Sequence, residues 1–175
     1  MARNIEIKAR IDSVQALLPR AQALAGGAEA RLIEQDDHFY PCAHGRLKLR
    51  RFADGSAELI HYQRADAGGP KLSDYVLVPV PDAQALHTAL ARAQGELGRV
   101  RKRRWLLLAG ATRIHLDEVA GLGHFLELEV VLAPGQSEAE GRALAIQLMR
   151  ELGVAEDQLL AGAYLDLLAA AAAGA

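Results

Sequence analysis

Hydrophobic and polar residues alternate with a period of two over residues 4–11, 46–50, 58–64, 99–107, 113–118 and 125–131, the pattern of β-strands. Shorter stretches at 35–40 and 74–80 bring the expected strands to eight. Helical spacing fills four other stretches. Asp12 reads as the N-cap of the first, whose apolar stripe is Val14, Leu17, Leu18 and Leu24, with Pro19 delaying or kinking it. Asp82 opens the second, with Ala85, Leu86, Ala89 and Leu90 on one face. Ser137, with Glu140 three residues on, has capping-box spacing and starts the third, which continues through Leu144, Leu148 and Leu152. A fourth is expected from about residue 156 through Tyr164 to Leu168. Asp54-Gly55 between two strand patterns signals a hairpin. The pattern predicts a mainly antiparallel α+β fold, one domain over residues 1–175, with enough strands to close a barrel.

Composition narrows the function more than the fold. Twenty Lys and Arg oppose 22 Asp and Glu, a net charge of −2. Wrapping nucleic acid normally needs a basic excess, and aromatics for base stacking make up only 5%, so no nucleic-acid partner is expected. Cys42 is the only cysteine, which excludes an internal disulfide and a cysteine-rich zinc site. The charged start MARNIEIKAR lacks the apolar stretch of a signal peptide, and no apolar run reaches 18 residues. A soluble, cytoplasmic protein without a membrane partner is the expectation.

Charges occupy one face of nearly every long strand. Arg46, Lys48 and Arg50 alternate with Leu47 and Leu49; Glu127 and Glu129 alternate with Leu126, Leu128 and Val130; Glu6 and Lys8 alternate with Ile5 and Ile7. Two architectures produce this pattern. The charged faces are either solvated, with the apolar faces under helices, or they line a barrel interior built for a charged ligand. Period alone does not choose. The signs are segregated, however: 46–50 and 102–104 carry no acid, and Glu127 with Glu129 no base. Two glutamates at i and i+2 have Cα atoms roughly 6.5–7 Å apart on one face, so both can reach one hard cation such as Mg²⁺ or Mn²⁺. Lysines and arginines facing that cation suit a polyphosphate.

Asn4-Ile-Glu6-Ile-Lys8 and Gly123-His-Phe-Leu-Glu127-Leu-Glu129 resemble the CYTH superfamily, the triphosphate tunnel metalloenzymes. Between them, Gln35 to Tyr40, Leu47-Lys48-Leu49-Arg50, Lys102-Arg-Arg104 and the stretch 113–117 follow the family's order, and Tyr164 to Leu168 is similar to its C-terminal helix. The resemblance implies an eight-stranded antiparallel tunnel with helices packed outside. It also implies that Lys8, Lys48, Arg50, Arg64, Lys102, Arg104 and Arg113 bind a triphosphate, and that Glu6, Asp117, Glu127 and Glu129 hold Mg²⁺ or Mn²⁺. Glu6, Lys8, Glu127 and Glu129 would then be catalytic. Asn4 stands where the family has its first glutamate and supplies an amide oxygen without charge.

The resemblance places cyclisation of ATP to cyclic AMP and pyrophosphate first, as in class IV adenylyl cyclases. Hydrolysis of thiamine triphosphate or inorganic triphosphate follows, and a non-catalytic polyphosphate- or nucleotide-binding module is the reading from another class. A homodimer is a further expectation. His115 shares a face with Asp117 and is a weaker candidate near the metal, while Lys71 and Asp74 are in an ambiguous register. His38, His61, His87 and His124 are scattered and read as surface or structural. There is no phosphate-binding Gly-x-x-x-x-Gly-Lys-Ser/Thr loop and no Gly-x-Ser-x-Gly elbow.

Overall fold

The computed structural model describes residues 2–174. Eight strands, β1 (Ala2–Arg10), β2 (Arg31–Tyr40), β3 (Arg46–Phe52), β4 (Ala57–Arg64), β5 (Lys71–Pro79), β6 (Gly98–Ala109), β7 (Thr112–Val119) and β8 (Gly123–Val131), close into an antiparallel barrel. Its order is β1-β5-β4-β3-β2-β6-β7-β8, with β8 pairing back to β1. Four helices pack outside: α1 (Val14–Leu24), α2 (Ala83–Gln94), α3 (Glu138–Glu151) and α4 (Tyr164–Ala173). None is long and apolar enough to cross a membrane.

Burial decides between the two readings of the strand faces. Ile5, Ile7 and Ala9 point outward and join Ile114, Leu116, Leu126 and Leu128 in a core sealed by Val14, Leu17 and Ala21 of α1 and Ala145 and Met149 of α3. Their neighbours Asn4, Glu6 and Lys8 therefore point inward, as alternation along a strand requires. The charged faces line the barrel. A smaller cluster of Tyr40, Leu49 and Ala57 lies under Leu86 and Leu90 of α2, and another, Phe39, Val100, Val119, Phe125 and Tyr164, gathers where α4 begins.

Local chemistry explains most element ends. The capping box of Ser137 and Glu140 is formed, and Asp82 caps α2 through Ala85 N–H. The first helix is capped by Ser13 rather than Asp12: Ser13 Oγ accepts from Ala16 N–H at 3.0 Å. Pro19 lies inside α1. The expected single C-terminal helix is interrupted. A one-turn 3₁₀ segment (Glu156–Gln158) is followed by extended chain, because Leu159 bridges to Ala9 and Leu160 N–H bonds to Lys8 O at 2.9 Å. Gly162 (φ 78) then turns the chain into α4, a conformation that suits glycine.

Gly141 sets the approach of α3 to the barrel. A Cβ there would stand 2.6 Å from Leu132 Cδ2 and 2.8 Å from Ile5 Cγ1. Alanine favours a helix by about 1 kcal/mol over glycine, but overpacking typically costs about 1–3 kcal/mol. Gly141→Ala is therefore expected to lower stability by up to about 2 kcal/mol in chemical denaturation. A variant more stable than the parent contradicts this packing.

Candidate active site

Strand register assembles one wall. Glu6 on β1 lies opposite Glu129 on β8, and Lys8 opposite Glu127; on the other side of β8, Arg113 and His115 of β7 lie opposite Glu129 and Glu127. Every carboxylate in this ladder meets a cation. Lys8 Nζ is 3.2 Å from Glu127 Oε1, Arg64 Nη1 donates to Glu6 Oε2 at 2.6 Å, and Arg113 Nε donates to Glu129 Oε2 at 2.8 Å. Arg104 also bonds to Glu127.

The facing wall comes from β2, β3 and β6 and is organised by one acid. Asp37 is buried, accepts from Arg50 Nε and Nη2 at 2.7 Å each and from Lys48 Nζ at 2.9 Å, and lies 3.8 Å from Lys102 Nζ. Asp37 lies in the stretch 35–40 that resembles the family, but nothing in its alternation marks it as the hub of the basic set. Deeper in the barrel, Arg104 forks onto Asp117 at 2.7 and 2.6 Å, and Tyr164 O–H donates to Asp117 Oδ2 at 3.0 Å.

Both walls border one cavity of about 240 Å³. It is lined by all seven cations expected to bind phosphate, Lys8, Lys48, Arg50, Arg64, Lys102, Arg104 and Arg113, together with Glu6, Glu127 and Glu129. Asp37 and Glu58 complete the acidic lining, so seven bases face five acids in a chain whose overall charge is −2. Asp117 does not line it; both its oxygens are engaged by Arg104 and Tyr164. Lys71 is directed elsewhere, its Nζ donating to Ala67 O and Leu160 O.

The segment before α4 closes one end. Gly162 O accepts from Lys8 Nζ at 3.2 Å and Arg64 Nη2 at 2.7 Å. Tyr164 packs on Phe125, and Lys8 Nζ stands 3.9 Å above its ring, a cation–π contact. Spacing within residues 156–168 carried no signal for this role, which depends on the distant Lys8 and Asp117.

Burial dominates the titration of these groups. Desolvation, with repulsion from Arg50, lowers Lys48 to about 8; desolvation and Arg104 lower Lys102 to about 7. Lys8 is also lowered by burial, against the pull of Glu127. Burial pushes the carboxylates up, but their cations win: Arg50 and Lys48 hold Asp37 well below the usual range, and Lys8 and Arg104 do the same for Glu127. Burial, then Arg104, brings His115 down to about 4, so its ring is neutral near pH 7.

The residues present fit a divalent cation. His115, Glu127 and Glu129 offer ligand atoms within 4.8 Å of one another. Two buried polar atoms of the same lining, Asn4 Oδ1 and His115 Nδ1, lack hydrogen-bond partners. An amide oxygen without a hydrogen-bond donor, and a ring nitrogen without a partner, each leave a ligand atom free to coordinate a cation.

The family model for the CYTH domain matches residues 2–164. A solved structure from Pyrococcus horikoshii is similar at 22% identity and TM-score 0.82, over 94% of this chain and 99% of its own. A Vibrio parahaemolyticus protein described as a candidate adenylate cyclase is 17% identical, TM-score 0.75, over 95% and 97% of the two chains. A Hippeastrum protein described as a candidate adenylyl cyclase with a dominant triphosphatase activity is 13% identical, TM-score 0.68, over 97% and 96%. At these identities the likeness is one of fold. No curated protein matches the sequence.

An anion against Lys48 and Lys102 favours their charged forms and raises both pKa values. At pH 8 roughly half of Lys48 and most of Lys102 are neutral, so sulfate binding is expected to take up about one proton. At pH 6 both are already charged and the uptake vanishes. Calorimetry in buffers of different ionisation enthalpy measures this directly, since sulfate itself does not titrate there. Heats independent of buffer at pH 8 contradict the assignment.

Proposed function

Because the chain belongs to the CYTH family, we propose that it is a divalent-metal-dependent enzyme hydrolysing a triphosphate, organic or inorganic, to the diphosphate and orthophosphate. The observation that carries this reading is the convergence of seven cations and the carboxylates Glu6, Glu127 and Glu129 on one cavity inside the barrel. Its volume of about 240 Å³ lies below the roughly 300–1,000 Å³ of sites that enclose drug-sized organic ligands. That favours a short, highly charged ligand held by its phosphates, with any organic group at the mouth. On this ground we place hydrolysis before the cyclisation that the sequence resemblance placed first.

In this reading Lys48, Arg50, Lys102 and Arg104 hold the phosphate chain from one side. Asp37 orients Lys48 and Arg50 through the bonds described above, so these cations need no rearrangement when charge develops on the phosphoryl oxygens. Lys8, fixed between Glu127 and the Tyr164 ring, and Arg113, fixed by Glu129, face the chain from the other side. Glu6, Glu127, Glu129 and the neutral His115 ring would hold Mg²⁺ or Mn²⁺, with Asn4 Oδ1 as a neutral oxygen donor in place of a carboxylate. A cation there supplies Lewis-acid neutralisation of phosphoryl oxygens. Asp117 serves instead to position Arg104.

Cyclisation is the second reading, favoured by Ile60, Tyr75 and Leu77 in the cavity lining, an apolar surface on which a nucleobase can rest. Phosphorus NMR with inorganic triphosphate, thiamine triphosphate and ATP, each with Mg²⁺ or Mn²⁺, separates the two. Orthophosphate release is expected, and Glu129→Gln is expected to slow it about 100-fold or more without loss of fold. Cyclic AMP with pyrophosphate establishes the second reading. Triphosphate binding without turnover overturns both.

A further inference from the structure

A second cluster of metal-ligating side chains lies outside the barrel, between β2 and α2. His38 on β2, His87 on α2 and Glu96 in the loop leading to β6 come together from three chain segments. His38 Nδ1 and Glu96 Oε1 are 2.6 Å apart, the two imidazole centroids are 4.7 Å apart, and ligand atoms of all three residues lie within 4.8 Å of one another. Successive strand side chains point to opposite faces, so His38 faces α2 while Asp37 faces the tunnel. The sheet itself separates the two sites. His38 is buried and Glu96 exposed, which gives the cluster a path from solvent.

His87 also has an outer partner of the kind that orients a metal-bound imidazole. Tyr40 Oη is 2.7 Å from His87 Nδ1, which leaves His87 Nε2 as the free ring nitrogen. Asp36 Oδ1 is 3.7 Å from His38 Nε2, and Asp36 is held in turn by a fork from Arg99. The Tyr40 contact fixes the His87 tautomer and aims its ligating nitrogen, while Asp36 adds a nearby negative charge to His38. Arg51, from β3, is the other charged group packed here, and it is engaged by Ala83 O and Gln84 Oε1 at the start of α2.

We propose that His38 Nδ1, His87 Nε2 and a carboxylate oxygen of Glu96 bind a zinc-class divalent cation that pins α2 and the loop after it to the barrel. Two imidazoles and one carboxylate form a nitrogen–oxygen set suited to Zn²⁺ and ill suited to Mg²⁺, which prefers oxygens. Three protein ligands leave the fourth tetrahedral position to water. The site also has mechanical work to do. No residue of α2 is fully buried, so this helix is held to the barrel by the half-buried Leu86 and Leu90 and by the polar contacts of His87. A ligand that binds only the folded state stabilises it in proportion to its binding.

The test uses the whole chain and Zn²⁺ alone. Long-range ¹H–¹⁵N NMR of the imidazoles follows His38, His87 and the tunnel residue His115 separately. One equivalent of Zn²⁺ is expected to shift the ring nitrogens of both His38 and His87 and to raise the melting temperature. His87→Gln and Glu96→Gln are each expected to weaken Zn²⁺ binding about 100-fold or more, and Tyr40→Phe about tenfold, an effect on affinity through positioning. Glu96 is exposed, so its variant keeps the fold and the comparison holds even if a histidine variant does not. Zn²⁺ that moves only His115, or no histidine, overturns the proposal, as does a Glu96→Gln protein that binds Zn²⁺ like the parent.

Discussion

Each cation in the tunnel sits where water cannot fully solvate it, and the effective penalty for such burial is several kcal/mol per ion. The barrel meets that cost by placing a carboxylate within reach of every one: Asp37 among Lys48, Arg50 and Lys102, Asp117 on Arg104, Glu127 on Lys8, Glu6 on Arg64 and Glu129 on Arg113. Compensation is incomplete, since the lining carries more bases than acids. The surplus shows in the lysines, whose charge is weakened by burial and by neighbouring guanidiniums. A network of this kind is a poor way to stabilise a fold, because apolar residues of like volume commonly do as well. Its retention inside the barrel makes sense as a pre-arranged counter-charge for an anion.

The apolar layer makes this interior possible by lying outside it. In most small barrels the core fills the inside; here Ile5, Ile7, Leu126 and Leu128 turn outward beneath α1 and α3, and the helices are what the hydrophobic core is built against. The end plug ties the two layers together. Tyr164 belongs to α4, yet its ring covers Lys8 and its hydroxyl completes the shell of Asp117. If a divalent cation binds beside Glu127 and Glu129, as proposed, Asn4 and His115 add neutral ligand atoms there without adding repulsion between carboxylates.

Alternation at residues 4–8, 46–50 and 125–131 was enough to locate the strands, but it was the family resemblance, not the period, that named the seven lining cations together. Alternation did not say which face was inside, because a solvated face and a tunnel face share one period; only the cover of helices over Ile5 and Leu128 settles that. Asp117 illustrates the next limit. It shares a face with Arg113 and His115, but its depth along the barrel, where Arg104 and Tyr164 take its oxygens, is a property of the closed sheet and the C-terminal segment. The break between the 3₁₀ turn and α4 was hidden for a like reason, since the bonds of Leu159 and Leu160 are to β1. His38 and His87 looked scattered because α2 folds back over β2 between them.

The tunnel's proposed role requires that it bind several linked phosphates at once. Calorimetric titration of the protein with inorganic triphosphate and with orthophosphate, both without divalent cation so that no turnover occurs, tests that directly. A cavity in which seven cations act together should bind triphosphate at least about a hundredfold more tightly than orthophosphate, a difference of about 2.7 kcal/mol. Equal affinities, or no binding of either anion, would contradict it.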